Sequence, residues 1–264
     1  MYLASTIGLM SLRLVCGVNS SVPGVPRVLE MACKAAPKTV VFVPTREECG
    51  VATLVDAFLA SRGYMVTILG PTATATEIEH EVYSRGDGLD PRTNIFVRLG
   101  GNGSAWQRRL NDDPDLAKLL LRIMRDLRII DLANSLGWVA LCRGYWSDDY
   151  EEDEDNLGFR FLDGLDEGLP FIGCAHCHGA KRDALLMAAP VELEPGAVIL
   201  CAENDGLFTI TDGMIEVVAE GPDTKLERIL VLPGQQLSVA TLRPRERIPL
   251  SRFLDNNWRP DLSP

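Results

Sequence analysis

Two thiols and two imidazoles lie within five consecutive residues, Cys174-Ala175-His176-Cys177-His178. The order Cys-x-x-Cys-His is the haem-attachment pattern, in which both thiols form thioethers with the porphyrin and the histidine binds iron. The same side chains suit zinc, and the paired thiols suit a redox dithiol. A loop with reduced, partly buried thiols is the simplest interpretation, and all four interpretations stay open.

A structural zinc site takes ligands from two separate parts of the chain. The candidate ligands of the first part are the four cysteine and histidine side chains of this run. Cys142, Cys201 or His80 could supply the second part. We expect no cofactor, and zinc or haem bound by this run is the alternative.

Two other groups of residues could carry chemistry. Asp205, after the apolar run at 197–202, resembles the metal-binding strand and turn of metal-dependent serine/threonine phosphatases. Glu203 and Asn204 lengthen that turn, and no earlier aspartate motif would share a metal pair, so Asp205 is interpreted as a turn former. No nucleophile elbow accompanies the three histidines, and His80 fits an exposed helix position. The sequence therefore predicts no catalytic residues.

Composition limits the class of protein. A chain of 264 residues with 46% hydrophobic residues can bury one large core or two smaller ones. The net charge of -11 falls almost entirely on residues 133–264, which should repel nucleic-acid backbones. Seven scattered cysteines indicate a reducing compartment, so we expect a cytoplasmic protein. No apolar run is long enough to cross a membrane.

The first half of the chain alternates predicted strands with predicted helices. Continuous apolar runs at 39–43, 65–69 and 94–99 predict buried parallel strands. Apolar spacings of three and four predict helices at 45–62, 72–84 and 114–136, and residues 138–142 would form a fourth strand. This alternation predicts a doubly wound parallel α/β domain.

The stretch Thr39-Val40-Val41-Phe42-Val43-Pro44-Thr45-Arg46-Glu47-Glu48-Cys49 gives this half a family resemblance. With the helix and strand that follow, it resembles the start of the second RecA-like domain of viral and cellular superfamily 2 RNA helicases, over residues 38–104. The resemblance implies an RNA-binding role near the glycine-rich exit of the strand at 94–99. The candidate RNA-binding residues are Arg98, Asn102, Ser104, Arg108 and Arg109.

Two helicase signatures are missing from the sequence. No Gly-x-x-x-x-Gly-Lys-Ser/Thr loop is present to bind phosphates, and the arginine-finger motif has no counterpart. We therefore expect no ATP-driven unwinding by this chain.

The second half of the chain has a different pattern. Seven acids in the eight residues 148–155 predict a solvated loop. Short apolar runs at 197–202, 207–211, 214–219, 228–232 and 237–242, several separated by Asp-Gly or similar turns, predict antiparallel strands. The predicted divisions are an N-terminal segment (1–37), a RecA-like α/β domain (38–146), an acidic boundary loop (147–160), a β-rich domain (161–242) and a proline-rich tail (243–264).

Together these patterns predict a non-catalytic structural or interaction protein on a degenerate helicase-like scaffold. Such scaffolds suit a virus-encoded accessory protein of the virion, associated with its capsid or surface. The acidic half favours a protein partner or self-assembly as a homo-oligomer, with no DNA and no membrane. The alternatives are an RNA-binding helicase-derived domain and a zinc- or haem-binding protein centred on Cys174 to His178.

Overall fold

A computed structural model describes residues 14–15, 38–44, 60–61, 63, 65–84, 94–126, 129–133, 135–149, 158–165, 167–203, 208–217 and 225–255. The described strands are β1 (Leu14–Val15), β2 (Lys38–Phe42), β3 (Met65–Leu69), β4 (Asn94–Arg98), β5 (Ile129–Ala133), β6 (Cys142–Asp149), β7 (Gly158–Asp163), β8 (Leu169–Ala175), β9 (Val198–Ala202), β10 (Phe208–Thr211), β11 (Met214–Val217), β12 (Leu226–Leu232), β13 (Gln236–Leu242) and β14 (Arg247–Pro249). The described helices are α1 (Ala75–Tyr83), α2 (Gly103–Asp112), α3 (Pro114–Arg125), α4 (Leu136–Val139), α5 (Gly179–Glu192) and α6 (Leu250–Phe253).

The described strands form two sheets. The first has the order β14-β11-β10-β1-β5-β4-β2-β3. Within it the neighbouring strands β1, β5, β4, β2 and β3 run parallel to one another. The second has the order β13-β12-β9-β8-β6-β7, in which β6, β8 and β9 are parallel and the other pairs are antiparallel. The protein is therefore a mixed α/β fold with a parallel sheet and further antiparallel strands, and double winding stays a prediction.

Local capping signals explain where two of the helices begin. Thr74 caps α1 in a capping box, because its side chain accepts a hydrogen bond from the Glu77 N–H while the Glu77 carboxylate accepts one from the Thr74 N–H. Asp113 caps α3, and Pro114 occupies the first helical turn, where its missing N–H costs nothing. None of the described helices is long and apolar enough to span a membrane.

Several predicted elements are confirmed. Strands β2, β3 and β4 and helix α1 lie where the sequence placed them, and β2 and β3 pair in parallel. The burial predicted for β3 is wrong, because β3 ends the described sheet and its Met65 and Ile68 are 56% and 42% exposed. In the second half, five predicted strands correspond to β9 to β13. The predicted helix at 45–62 lies outside the described residues apart from its last turn.

Two predictions around residue 130 are wrong. The helix predicted for 114–136 ends at Arg125, with Asp126 as an extended C-cap residue, and the chain continues as β5. The strand predicted for 138–142 is instead the short helix α4, followed by β6. Apolar residues at 129–133 fit a helical stripe and a buried strand equally well, and pairing with β4 decides for the strand.

The two halves of the sequence share both sheets. Strands β10, β11 and β14 extend the first sheet, whereas β6 belongs to the second. Strand β6 continues through Asp148 and Asp149, the first two acids of the predicted loop, and pairs with β7. One large core takes side chains from both sheets, and a second apolar cluster lies between the second sheet and α5.

Candidate functional site

Ser135 occupies a strained turn between a strand and a helix. It follows the carboxyl end of β5 after one residue and directly precedes α4. Its backbone angles are φ 48° and ψ −122°, a combination that non-glycine residues rarely adopt. Such strain in a serine at a sharp strand-to-helix turn is the geometry of a nucleophile elbow, which presents the hydroxyl to solvent.

His176 lies in hydrogen-bond contact with this serine. Its Nε2 atom is 2.7 Å from Ser135 Oγ, although the two residues are 41 positions apart. His176 directly follows β8, has a positive φ of 53°, and is exposed. A serine whose hydroxyl contacts an accessible imidazole is the arrangement in which histidine acts as a general base.

The first turn of α4 lies directly against the end of β4. A Cβ atom added to Gly137 would be 2.6 Å from the Arg98 carbonyl oxygen and 2.8 Å from that of Leu99. Only glycine fits there without a backbone shift. The close approach brings the glycine-rich turn that starts at Gly100 next to the segment that carries Ser135.

A buried ion pair joins the two strands that lead to this turn and to Ser135. The Arg98 guanidinium donates two hydrogen bonds to the Asp131 carboxylate, at 3.1 Å from Nε and 2.6 Å from Nη2. Both residues are almost fully buried. Burial raises the pKa of Asp131 to about 6, and the neighbouring Arg98 cation opposes that rise.

Three thiols meet on the face of the second sheet that packs against α5. The Sγ atoms of Cys174, Cys177 and Cys201 all lie within 4.8 Å of one another, and each residue is at most 2% exposed. Cys174 and Cys201 are direct partners in the parallel pairing of β8 with β9. The Cys177 N–H donates to the Ala202 carbonyl at 3.0 Å, which holds the loop against the end of β9. This cluster could hold a metal ion.

The three thiols share their hydrogen bonds unequally. Hydrogen bonds with Cys174 and Cys201 lower the pKa of Cys177 to about 4, whereas burial raises the pKa of Cys174 and of Cys201 well above the ordinary range. These hydrogen bonds favour the thiolate at Cys177 over the other two thiols. Lys181 and Arg182, at the start of α5, are the cations that interact with it and its neighbours.

The metal-ligand residues expected from the sequence are divided among three places. Both cysteines of the Cys-x-x-Cys pair enter the thiol cluster, with Cys201 as their third member. His176 instead contacts Ser135. His178 is exposed at the N-cap of α5 and its side chain makes no capping hydrogen bond.

The residues expected to bind RNA lie in different environments. Arg98 is fully buried in its pair with Asp131. Asn102 caps α2, and Ser104 is buried in the first turn of that helix. Arg108 is exposed, but Arg109 contacts the Ala73 carbonyl and the Asp113 carboxylate. Four of the five residues therefore occupy positions in which they stabilise the fold.

A comparison with protein-family models finds no match for this chain, and a comparison with curated proteins finds none either. The helicase resemblance therefore stays a prediction.

Ser135 is the candidate site residue that sequence reasoning missed. No nucleophile elbow was expected near the histidines, whereas the structure places Ser135 Oγ 2.7 Å from His176 Nε2. The signal was present as Ala133-Asn134-Ser135-Leu136-Gly137, a small-x-Ser-x-Gly pattern that differs from Gly-x-Ser-x-Gly in one residue. Placing these residues at the end of a long helix concealed it, because the pattern has meaning only directly after a strand.

Proposed function

We propose that this protein is a serine hydrolase in which Ser135 is the nucleophile and His176 is the general base. The observation that carries the proposal is the 2.7 Å contact between Ser135 Oγ and His176 Nε2 at a strained, accessible turn. Such strain persists only when the surrounding structure enforces it, and here the close approach of Gly137 to β4 does so.

The reaction class is acyl transfer to water. Ser135 Oγ attacks the carbonyl carbon of an ester, thioester or amide while His176 Nε2 takes the hydroxyl proton. The tetrahedral intermediate then collapses, the bond to the leaving group breaks, and His176 returns the proton to that group. Water, deprotonated by His176, attacks the acyl-serine in the same way and releases the acid.

Backbone N–H groups near Ser135 can stabilise the negative oxygen of the intermediate. The Leu136 N–H belongs to the residue after the nucleophile and lies in the first turn of α4, where helix N–H groups have no intrahelical acceptor. The turn at Gly100 and Gly101 is the neighbouring source of a second donor. Removing one donor of this kind typically costs about 100- to 1,000-fold in rate.

A carboxylate that orients the imidazole would complete a triad. The hydrogen bond from Cys177 to Ala202 places the His176 loop beside the end of β9. Glu203 and Asp205 are the acids that follow this strand; the Glu203 carboxylate also pairs with Lys225 at 3.3 Å, and Asp205 lies outside the described residues. We expect an amide at one of these two positions to slow hydrolysis, as loss of the orienting acid does in other triads.

The experiment is labelling of the full chain with a fluorophosphonate, which reacts with activated serines, followed by peptide mapping. We expect modification at Ser135 and hydrolysis of short p-nitrophenyl esters. Ser135→Ala should abolish both, lowering the rate at least about 1,000-fold, and His176→Gln should slow both.

Ser238→Ala is the matched control, because Ser238 is a half-buried serine on β13, away from the elbow. Labelling that is absent from the folded wild-type protein, or that persists in Ser135→Ala, would overturn the proposal. The interaction role expected from the sequence, with a protein partner or by self-assembly, would then be the working proposal. If zinc binds as the sequence suggests, our proposal puts it outside the reaction centre, because His176 acts as the base for Ser135.

A further inference from the structure

The thiol cluster has the dimensions of a metal site before any metal binds. A zinc–thiolate bond is about 2.3 Å long, which places three coordinating sulfurs about 4 Å apart. The Sγ atoms of Cys174, Cys177 and Cys201 lie within 4.8 Å of one another. Coordination therefore requires sulfur movements of less than about 1 Å, which side-chain rotation can supply.

The ligand set favours thiophilic ions. Among the described residues the group consists of three sulfurs, all buried in the apolar cluster beneath α5. Soft thiolate ligands select zinc, monovalent copper and related ions over magnesium or calcium. Lys181 and Arg182 lie close enough to offset the negative charge that several thiolates bring.

Glu227, an acid that interacts electrostatically with Cys177, already has other partners. Its carboxylate is bridged by Arg182 at 2.9 Å and by Lys225 at 3.1 Å. Lys225 also pairs with Glu203 at 3.3 Å. Because these cations hold the Glu227 carboxylate, the three sulfurs supply the metal ligands.

We infer that Cys174, Cys177 and Cys201 bind one thiophilic metal ion, of the class of zinc or monovalent copper, and that this ion fixes the loop that carries His176. Cys174 and Cys177 flank His176 in the chain. An ion bound to both, and to Cys201 on β9, clamps the loop on both sides of the imidazole. The second part of this inference rests on the proposed hydrolase function, whereas metal binding stands without it.

The test uses the Ser135→Ala chain, so that its result does not depend on hydrolysis. Reduced, chelator-treated protein is equilibrated with Cd²⁺, a spectroscopic substitute for zinc that gives a sulfur-to-metal charge-transfer band in the ultraviolet. We expect this band to grow to one equivalent, to decrease on competition with Zn²⁺, and to be accompanied by a rise in Tm.

Cys201→Ala should remove this band. Cys142→Ser is the matched control, because Cys142 is also a buried free cysteine but lies outside the cluster; it should keep the band. Absence of the band in the folded Ser135→Ala chain that keeps all three cysteines, or a band that survives Cys201→Ala, would overturn the metal site.

The effect on the loop is measured separately in the chain that retains Ser135. Zn²⁺ should change the rate of fluorophosphonate labelling in this chain and in Cys142→Ser, but not in Cys201→Ala. An equal response in all three would overturn the clamp while leaving the metal site in place. No labelling at all, together with the Cd²⁺ band, would contradict the hydrolase and the clamp that rests on it.

Discussion

The exposed Ser135–His176 pair and the buried thiol cluster use the same loop but rest on different physical support. Ser135 and the turn beside it follow strands that the buried Arg98–Asp131 ion pair joins. The thiols are enclosed by apolar side chains, including Leu185 of α5. The polar pair therefore depends on exact backbone placement and charge, whereas the reactivity of the thiols depends on packing.

Loss of Arg98 should have the largest effect on this comparison. Arg98→Met leaves the Asp131 carboxylate buried without its cation, which typically costs about 3–5 kcal/mol in the free energy of unfolding. Lys118→Met is the control, because the Lys118–Asp115 pair is exposed and should cost less than about 1 kcal/mol. Chemical denaturation measures the free energy of unfolding of both variants. Equal losses in the two would contradict the distinction between buried and exposed charge.

The stability lost in Arg98→Met should also depend on pH. The folded-state pKa of Asp131 is raised from 3.8 to about 6, so ionisation of this carboxyl costs stability as pH rises through that range. Without Arg98 the cost grows, because the opposing cation is gone. The difference between wild type and Arg98→Met should therefore grow as pH rises above 6 and nearly vanish below 6. A difference that grows toward low pH would contradict this role of Arg98.

Truncating an apolar side chain that encloses the thiol cluster should change the reactivity of the thiols but not that of Ser135. Leu185 is fully buried above the cluster, so Leu185→Ala should lower the free energy of unfolding by about 2–5 kcal/mol and accelerate alkylation of the three cysteines by iodoacetamide. Peptide mapping reports which cysteine reacts. Met187→Ala, at a position of α5 that is 72% exposed, should change neither quantity; an equal effect there would mean that packing does not protect the thiols.

A smaller loss of stability, with a specific loss of activity, is expected from Gly137→Ala. The added Cβ would meet two backbone carbonyl oxygens within 3 Å, so α4 must shift, at about 1–3 kcal/mol. Displacement of Ser135 by even 1 Å should slow ester hydrolysis about 100-fold. Gly70→Ala, where a Cβ meets nothing within 4 Å, is the control. Full activity in Gly137→Ala would show that this close approach does not position Ser135.

The strands and helices that the sequence predicted correctly carry local signals. The apolar runs of β2, β3 and β4 and the turn residues between β9 and β13 lie within a few positions of one another in the chain. Helix α1 has its capping box and its apolar face within ten residues. Such patterns act through neighbouring residues, and so they can be recognised without knowledge of the fold.

The sequence was ambiguous where one apolar pattern fits two structures. The run at 129–133 continues the stripe of α3 but forms β5 once β4 is beside it. That single choice decided whether Ser135 lies in a helix or on a strand-to-helix turn. Ser135 was consequently missed as a candidate, although the small residues on both sides of it were visible.

By itself the sequence determined the thiol and imidazole types in the run from Cys174 to His178, with Cys201 as one of three possible further ligands. Only the tertiary structure decided that Cys201 joins Cys174 across paired strands and that His176 turns away toward Ser135. The physical reason is that hydrophobic burial favours compactness without choosing partners. The choice between partners comes from strand pairing and from close backbone contacts such as that of Gly137, which bring together residues far apart in the chain.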